Sequence, residues 1–211
     1  MNEWLPTLSL ALGSAWTSGI NLYATVFILG LFQKIGLTNL PGGLDALENW
    51  WIIGIAAFLY SIEFVADKVP YIDSVWDVVH TFIRVPAGAL LAYAAVGELD
   101  QTTQALAFLF GGGVALSSHG TKATARAFVN LSPEPVSNWF LSIVEDIIAF
   151  VGAILAIFAP ILIGIIVLVF LVIFFMILPR VVRTMRTMFR AVAAFFGNGK
   201  KGFDSVAREI R

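Results

Sequence analysis

The sequence predicts an all-α fold, a polytopic bundle of transmembrane helices with about six spans. Three observations carry that expectation. Of the 211 residues, 59% are hydrophobic and only 13% are charged, about half the charged share of a soluble domain. Mean hydropathy is +0.88. Apolar runs recur along the chain, and ~20 such residues suffice to cross a bilayer. The formal net charge of -1 hides a partition: eight of the 13 basic residues lie in the last stretch, with two acids. The rest carries five basic residues against 12 acids. An acidic membrane body, residues 1–178, with a basic tail, 179–211, is the expected organisation. There are no cysteines, which excludes disulfides, thiolate metal sites and cysteine catalysis. Met1-Asn2-Glu3 lacks the basic start of a signal peptide, so the first apolar stretch is expected to be retained.

Element by element, residues 5–36 exceed one bilayer crossing. Their middle, Gly13-Ser14-Ala15-Trp16-Thr17-Ser18-Gly19-Ile20-Asn21, is small and polar and predicts a bent or discontinuous helix. Broken helices are tolerated in a membrane only when buried in protein or lining a wet cavity. A loop follows over 37–49. Trp50-Trp51 open the second span as an interfacial anchor; it runs to about Lys68, and Pro70 breaks it. The third span ends near Gly97 and the fourth begins near Thr103. The loop Ser132-Pro133-Glu134-Pro135 precedes a fifth span from about Trp139. The apolar run 147–178 would measure ~48 Å as one helix, too long for the hydrocarbon core. It reads as the end of span five, a tight turn near Pro160 and span six, with a single kinked helix as the alternative. With the basic tail inside, six spans put the N-terminus inside too. Lys68, Arg84, Lys122 and Arg126 then fall near cytoplasmic connections and Lys34 outside, which satisfies the positive-inside rule with one exception. The predicted location is the cytoplasmic (inner) membrane, with both termini cytoplasmic.

The halves echo one another. Residues 18–27 align without gaps to 119–128, with Gly19/Gly120, Ala24/Ala125 and Phe27/Phe128 identical. Repeats over 5–97 and 103–178, three spans each, would be inverted, a layout of many transporters. The competing explanation is chance similarity among Gly/Ala-rich helices. On the repeat reading, Gly19, Asn21 and Gly120 mark helix interruptions.

The candidate site is the set of ionisable residues that an apolar chain should exclude. Glu63 and Asp67 lie four apart, on one helical face. Asp73, Asp77, His80 and Arg84 follow at spacings of four, three and four, again one face. Glu145 and Asp146 are adjacent acids, about 100° apart on a helix, so at most one faces a given cavity squarely. Charge partners are expected among Lys68, Arg84, Lys122 and Arg126. The stripe Asp73, Asp77, His80 suits a divalent cation or a proton relay. The bland alternative has Asp73 capping a helix and Arg84 merely paired, but Glu63 follows a dozen apolar residues and has no cap to serve. Ser117-Ser118-His119 does not form a catalytic pair, because adjacent helical residues do not face each other. Gly111-Gly112-Gly113 reads as close helix packing or a break. The segment 180–190, with Arg183, Arg186 and Arg190 on one face and Val182, Met185, Phe189 and Phe196 as apolar surface, predicts an amphipathic helix on anionic lipid. Lys200, Lys201, Arg208 and Arg211 add to its charge. Nucleic acid is not an expected partner; a bilayer and a second copy of the chain are.

Glu63-Phe64-Val65-Ala66-Asp67-Lys68-Val69-Pro70, followed by Asp73, Trp76-Asp77, His80 and Arg84, resembles the signature of a bacterial membrane family catalogued as a domain of unknown function, number 4126. His119-Gly120-Thr121-Lys122, Arg126, Ser132-Pro133-Glu134-Pro135 and Ser142 with Glu145-Asp146 fit the same family. The resemblance covers roughly residues 5–164. It implies a multi-span membrane protein and brings no activity. From the residues themselves the leading expectation is a small transporter or channel for a cation or proton-coupled solute. Its cavity would be lined by Glu63, Asp67, Asp77, His80 and Glu145. The alternatives are a structural or regulatory subunit with paired charges, and an intramembrane metal-dependent enzyme acting on lipid.

Overall fold

A computed structural model describes residues 4–69, 71–131 and 135–197. Expectations resting on Met1, Asn2, Glu3, Pro70, Ser132, Pro133, Glu134, Lys200, Lys201, Asp204, Arg208, Glu209 and Arg211 lie outside them, as does the side chain of Phe196. Among the described residues every regular element is helical: α1 Trp4–Ile20, α2 Leu22–Lys34, α3 Trp50–Ala66, α4 Ile72–Ala95, α5 Gln101–Val129, α6 Pro135–Phe158 and α7 Pro160–Gly197, with a 3-10 turn at Gly42–Glu48. Three helices are long and apolar enough to cross a membrane, Ile72–Ala95, Val136–Phe158 and Pro160–Ala193. The pair Gly42–Glu48 and Trp50–Ala66, bent by 75°, brings the number among the described residues to four when it is counted as one broken span. By length and composition these helices are compatible with a membrane protein. The chain divides into a body ending at Leu168 and a second unit beginning at Val169.

The first apolar stretch departs from the expected single span. At Asn21 the backbone becomes extended (φ −146°, ψ 101°), and its side-chain oxygen caps α2 by accepting from the Ala24 N–H at 3.0 Å. The chain then turns back. Along α1, Thr17 lies on Gly152 and Gly13 on Ala156, so α1 runs antiparallel to α6. Along α2, Asn21 meets Asp146 and Phe32 meets Phe158, so α2 runs parallel to α6. The two form a hairpin with its tip at Asn21. At 17 and 13 residues they measure ~26 and ~20 Å, each short of the ~30 Å core. Among the described residues the helices long and apolar enough to cross number three, or four with the bent pair, so the expected six, with 5–36 as the first, are not established. Asn21 makes the break because its amide can cap a new helix and still reach a partner; Gly19 does not interrupt anything. Gly19 lies inside α1, where a Cβ would stand 2.0 Å from Ser118 Oγ and 2.3 Å from the Ala115 carbonyl.

The expected second interruption is absent. Gly120 sits in the uninterrupted helix Gln101–Val129, since glycine alone neither blocks a hydrogen bond nor supplies a cap. The first half thus breaks at Asn21, whereas Lys122, which aligns with it, lies within a continuous helix. Gly111 serves close packing, with Ala92 Cβ 2.4 Å from the position of an added Cβ. The long run 147–178 is interrupted at one residue, Ala159, whose N–H still donates to the Leu155 carbonyl at 2.8 Å and whose carbonyl accepts from Ile163 at 3.1 Å, so it follows the kinked-helix alternative and not the expected tight turn; both sides pack on α1, where Gly13 touches Ala156 and Ile163, and Gly164 touches Ser9. Beyond it the helix carries on through Pro179 to Gly197, so no break separates the apolar segment from the basic one.

The core sits around α1, enclosed by α4, α5 and α6. Its polar residues are satisfied locally: Thr17 donates to the Gly13 carbonyl at 3.0 Å and Ser18 to that of Ala15 at 2.8 Å. Hydroxyls bonded to their own helix cost little in an apolar surround, and small side chains let the backbones approach closely. Gly88 packs on Ala115 and Ser18, tying α4, α5 and α1 together. At the far end, Asp100 caps α5 through Thr102, Thr103 and the Thr103 hydroxyl.

Candidate functional site

The hairpin tip lies on a buried cluster of charges drawn from α3, α4, α5 and α6. On α4, Asp73, Asp77, His80 and Arg84 are all buried, as their shared face requires. On α5, His119, Lys122 and Arg126, spaced three and four apart, face them and are buried too. α3 ends in Glu63 and Asp67, and α6 contributes Glu145 and Asp146. Helical spacing thus assembles in space what the chain distributes over more than 80 positions.

Three cations organise the acids. Arg84 is fully buried and donates Nη2 to Glu63 Oε1 at 2.6 Å and Nη1 to Asp77 Oδ1 at 3.3 Å. The same Nη1 lies 3.1 Å from His119 Nδ1. Lys122 Nζ reaches Asp67 Oδ2 at 2.8 Å, Glu63 Oε1 at 3.3 Å and the Ile20 carbonyl at 3.2 Å. That last bond places a cation on the unsatisfied C-terminal carbonyls of α1, the favourable end of its dipole. Arg126 grips Glu145 through Nε and Nη2, Asp67 Oδ2 at 3.0 Å, the Asp67 carbonyl at 2.8 Å and Asp73 at 3.3 Å. Asn130 also donates to Asp73 at 2.9 Å.

The histidines have assignable tautomers from their partners. His119 Nδ1 accepts from Arg84, so its Nε2–H donates toward the Asp77 carbonyl at 3.0 Å, with Thr81 Oγ1 at 2.8 Å. His80 Nδ1–H donates to the Trp76 carbonyl at 2.8 Å, leaving Nε2 to accept from the Tyr23 hydroxyl at 3.0 Å. Trp76 stacks on the His80 ring with centroids 4.3 Å apart. Asp146 accepts from Asn21 Nδ2 at 3.1 Å. Lys68 stands at the rim, donating to the Phe64 carbonyl and to Ser142.

The charges do not balance. Six buried acids, Glu63, Asp67, Asp73, Asp77, Glu145 and Asp146, meet three buried permanent cations, Arg84, Lys122 and Arg126. The acid excess is three, or two when Lys68 at the rim is counted. Five of those acids keep one buried oxygen without a hydrogen-bond partner: Glu63 Oε2, Asp67 Oδ1, Asp77 Oδ2, Glu145 Oε1 and Asp146 Oδ2. Buried acceptors left unpaired are costly and mark sites with a role beyond packing.

The expected divalent-metal stripe does not form. Asp73 is taken by Arg126 and Asn130, Asp77 by Arg84, and both His80 nitrogens by Tyr23 and Trp76. Among the described residues no three His, Asp or Glu side chains converge as a metal ligand set. The sequence reading left Tyr23, Thr81 and Asn130 out of the site and weighed His119 only as a catalytic base for its neighbouring serines. His119 was legible from its shared face with Lys122 and Arg126; Tyr23 was not, because only the hairpin brings it to His80.

A family model described as a domain of unknown function, DUF4126, matches residues 8–180. No curated protein and no solved structure matches the chain.

Proposed function

Because the chain belongs to the DUF4126 family, whose description names no activity, we propose a function from the cluster itself: a small membrane transporter for a cation or a proton-coupled solute. The observation that carries this is the acid excess, three more carboxyl groups than permanent cations within apolar helices, with five carboxyl oxygens lacking a hydrogen-bond partner. Uncompensated charge in a low-dielectric interior is strongly unfavourable, so such a cluster favours taking up positive charge. The half-helix hairpin supports the same reading. Its tip brings a helix C-terminus and the Asn21 amide to the acids, and interrupted helices whose ends meet charge are a recurrent basis of transport sites.

The test is flux in proteoliposomes. Wild type should collapse an imposed pH gradient or accumulate one of a panel of monovalent and divalent cations. Glu63→Gln should lose that flux while still reconstituting. Equal flux in variant and wild type, for protons and every cation, refutes the reading. The arginines of the second unit support a peripheral role: Arg180, Arg183 and Arg186 on a helix exposing Met185 and Phe189 suit anionic lipid at a cytoplasmic surface. Replacing these three by Gln should weaken binding of the purified protein to anionic but not zwitterionic vesicles.

A further inference from the structure

Beside the cluster lies a cavity of about 380 Å³ between α2, α3, α4 and the Gly42–Glu48 turn. That is a volume typical of small-molecule sites. Its walls include Ala56, Leu59, Ala87, Leu91 and Ala94, and Tyr23 is its one polar side chain. Its outer lining includes Ile55 and Leu90, 55% and 57% exposed, among the exposed Phe58 and Phe82. These belong to the apolar outer face of α3 and α4, the face a bilayer covers. The cavity therefore opens toward lipid.

Its inner end adjoins the charges. Leu59 precedes Glu63 by four residues on α3, and Ala87 follows Arg84 by three on α4, each about one helical turn. Tyr23 donates its hydroxyl proton to His80 Nε2, which leaves the phenolic oxygen with an acceptor lone pair. Glu63, entirely buried, keeps Oε2 unpartnered. One end of the cavity thus takes apolar bulk, and the other borders a region with three more acids than permanent cations.

We propose that this cavity binds a hydrophobic organic cation, which enters from the lipid side and places its charge at the Tyr23 edge of the acidic cluster. The proposal rests on the transport reading and names its passenger class. Charge complementarity selects the occupant. An amphiphilic anion meets the acid excess, and a neutral acyl chain gains nothing at the inner end. A lipophilic cation gains at both ends, and its delocalised charge has little hydration to lose.

The test uses tetraphenylphosphonium as the probe and the full chain in nanodiscs of zwitterionic lipid. Saturable binding to wild type is expected. Ala87→Phe, which fills the cavity, should weaken it about tenfold or more, a 1.4 kcal/mol change. Ala56→Phe, from the facing helix, carries the same expectation. Circular dichroism and size-exclusion profiles report whether each variant folds. Triphenylphosphine oxide, similar in shape but neutral, should fail to compete; should neither variant fold, this competition decides. Equal competition, or no saturable binding by wild type, overturns the proposal. So does undiminished binding in a folded Ala87→Phe, or a co-purified lipid that tetraphenylphosphonium cannot displace. Proton or metal-ion flux without phosphonium binding defeats this inference alone. Phosphonium binding without any flux supports the site and defeats the transport reading.

Discussion

Replacing Arg126 by Gln should be among the most damaging single changes in the body. Arg126 has no exposed surface and joins Glu145, Asp67 and Asp73. Its removal raises the acid excess from three to four and leaves Glu145 without its principal partner. Breaking a buried ion pair by deleting one member costs about 3–5 kcal/mol, because the remaining charge is stranded. Arg126→Lys keeps the charge but cannot bridge three carboxyl groups with one planar fork, so it should fall between wild type and Gln. Reversible unfolding in mixed micelles, followed by helicity as denaturing detergent is titrated, gives the free energies. Adding Glu145→Gln to Arg126→Gln removes the stranded acid and should recover about 0.5–3 kcal/mol, the range seen for coupled neighbours. A loss below about 1 kcal/mol for Arg126→Gln, or no recovery in the double variant, would show that the cluster is not held by these pairs.

Two further expectations follow from local geometry. Gly19→Ala places a methyl against Ser118 Oγ and the Ala115 carbonyl, and should cost about 1–3 kcal/mol by overpacking; Gly120→Ala, with nothing within 4 Å, should be neutral or stabilising in the same unfolding assay. Asp100 lies outside the apolar spans, and the Thr103 hydroxyl and amide hold its carboxyl below the ordinary 3.8. A carboxylate depressed in the folded state stabilises above its unfolded pKa and loses that contribution as pH falls through the folded value. Asp100→Ala should therefore lower the melting temperature at neutral pH and converge with wild type in acid, whereas Asp100→Asn keeps the cap. A gap that persists unchanged at acid pH would contradict this.

The membrane character was legible because it depends on composition, which no tertiary arrangement alters. The faces of α4 were legible for a related reason: Asp73, Asp77, His80 and Arg84 are placed by helical period alone. What one helix's period cannot give is the neighbour. The Asp73, Asp77, His80 stripe looked like a metal site until α5 brought Lys122 and Arg126 onto it. An alignment of two stretches is equally silent about neighbours. Gly19 and Gly120 align in sequence, yet one is pressed against Ala115 and the other faces open space. The hairpin was hardest, because polar small residues announce a break without giving its direction. A bent span and a returning half-helix share the same letters, and only contacts with α6 distinguish them.

Those contacts make Asn21 the residue on which the hairpin and the cluster depend together. Its Oδ1 caps the Ala24 N–H and its Nδ2 supplies Asp146 with a donor. Asn21→Ala removes the cap, about 1 kcal/mol, and leaves Asp146 without this donor, about 1–3 kcal/mol more. Asn21→Asp retains the cap and nearly the same shape, so on capping alone it should be harmless. It sets a second carboxylate against Asp146, however, in a cluster already rich in acid, and should be worse than Ala. Combining Asn21→Asp with Asp146→Asn exchanges the two groups. The carboxylate introduced at position 21 would still cap α2, and the amide would then donate from α6 instead of α1–α2, with the net charge of wild type. The expected order of stability is wild type, then the exchanged pair, then Asn21→Ala, then Asn21→Asp. If Asn21→Asp matches wild type, or the exchange recovers nothing, Asn21 is only a cap, and the hairpin tip is not coupled to the acids beneath it.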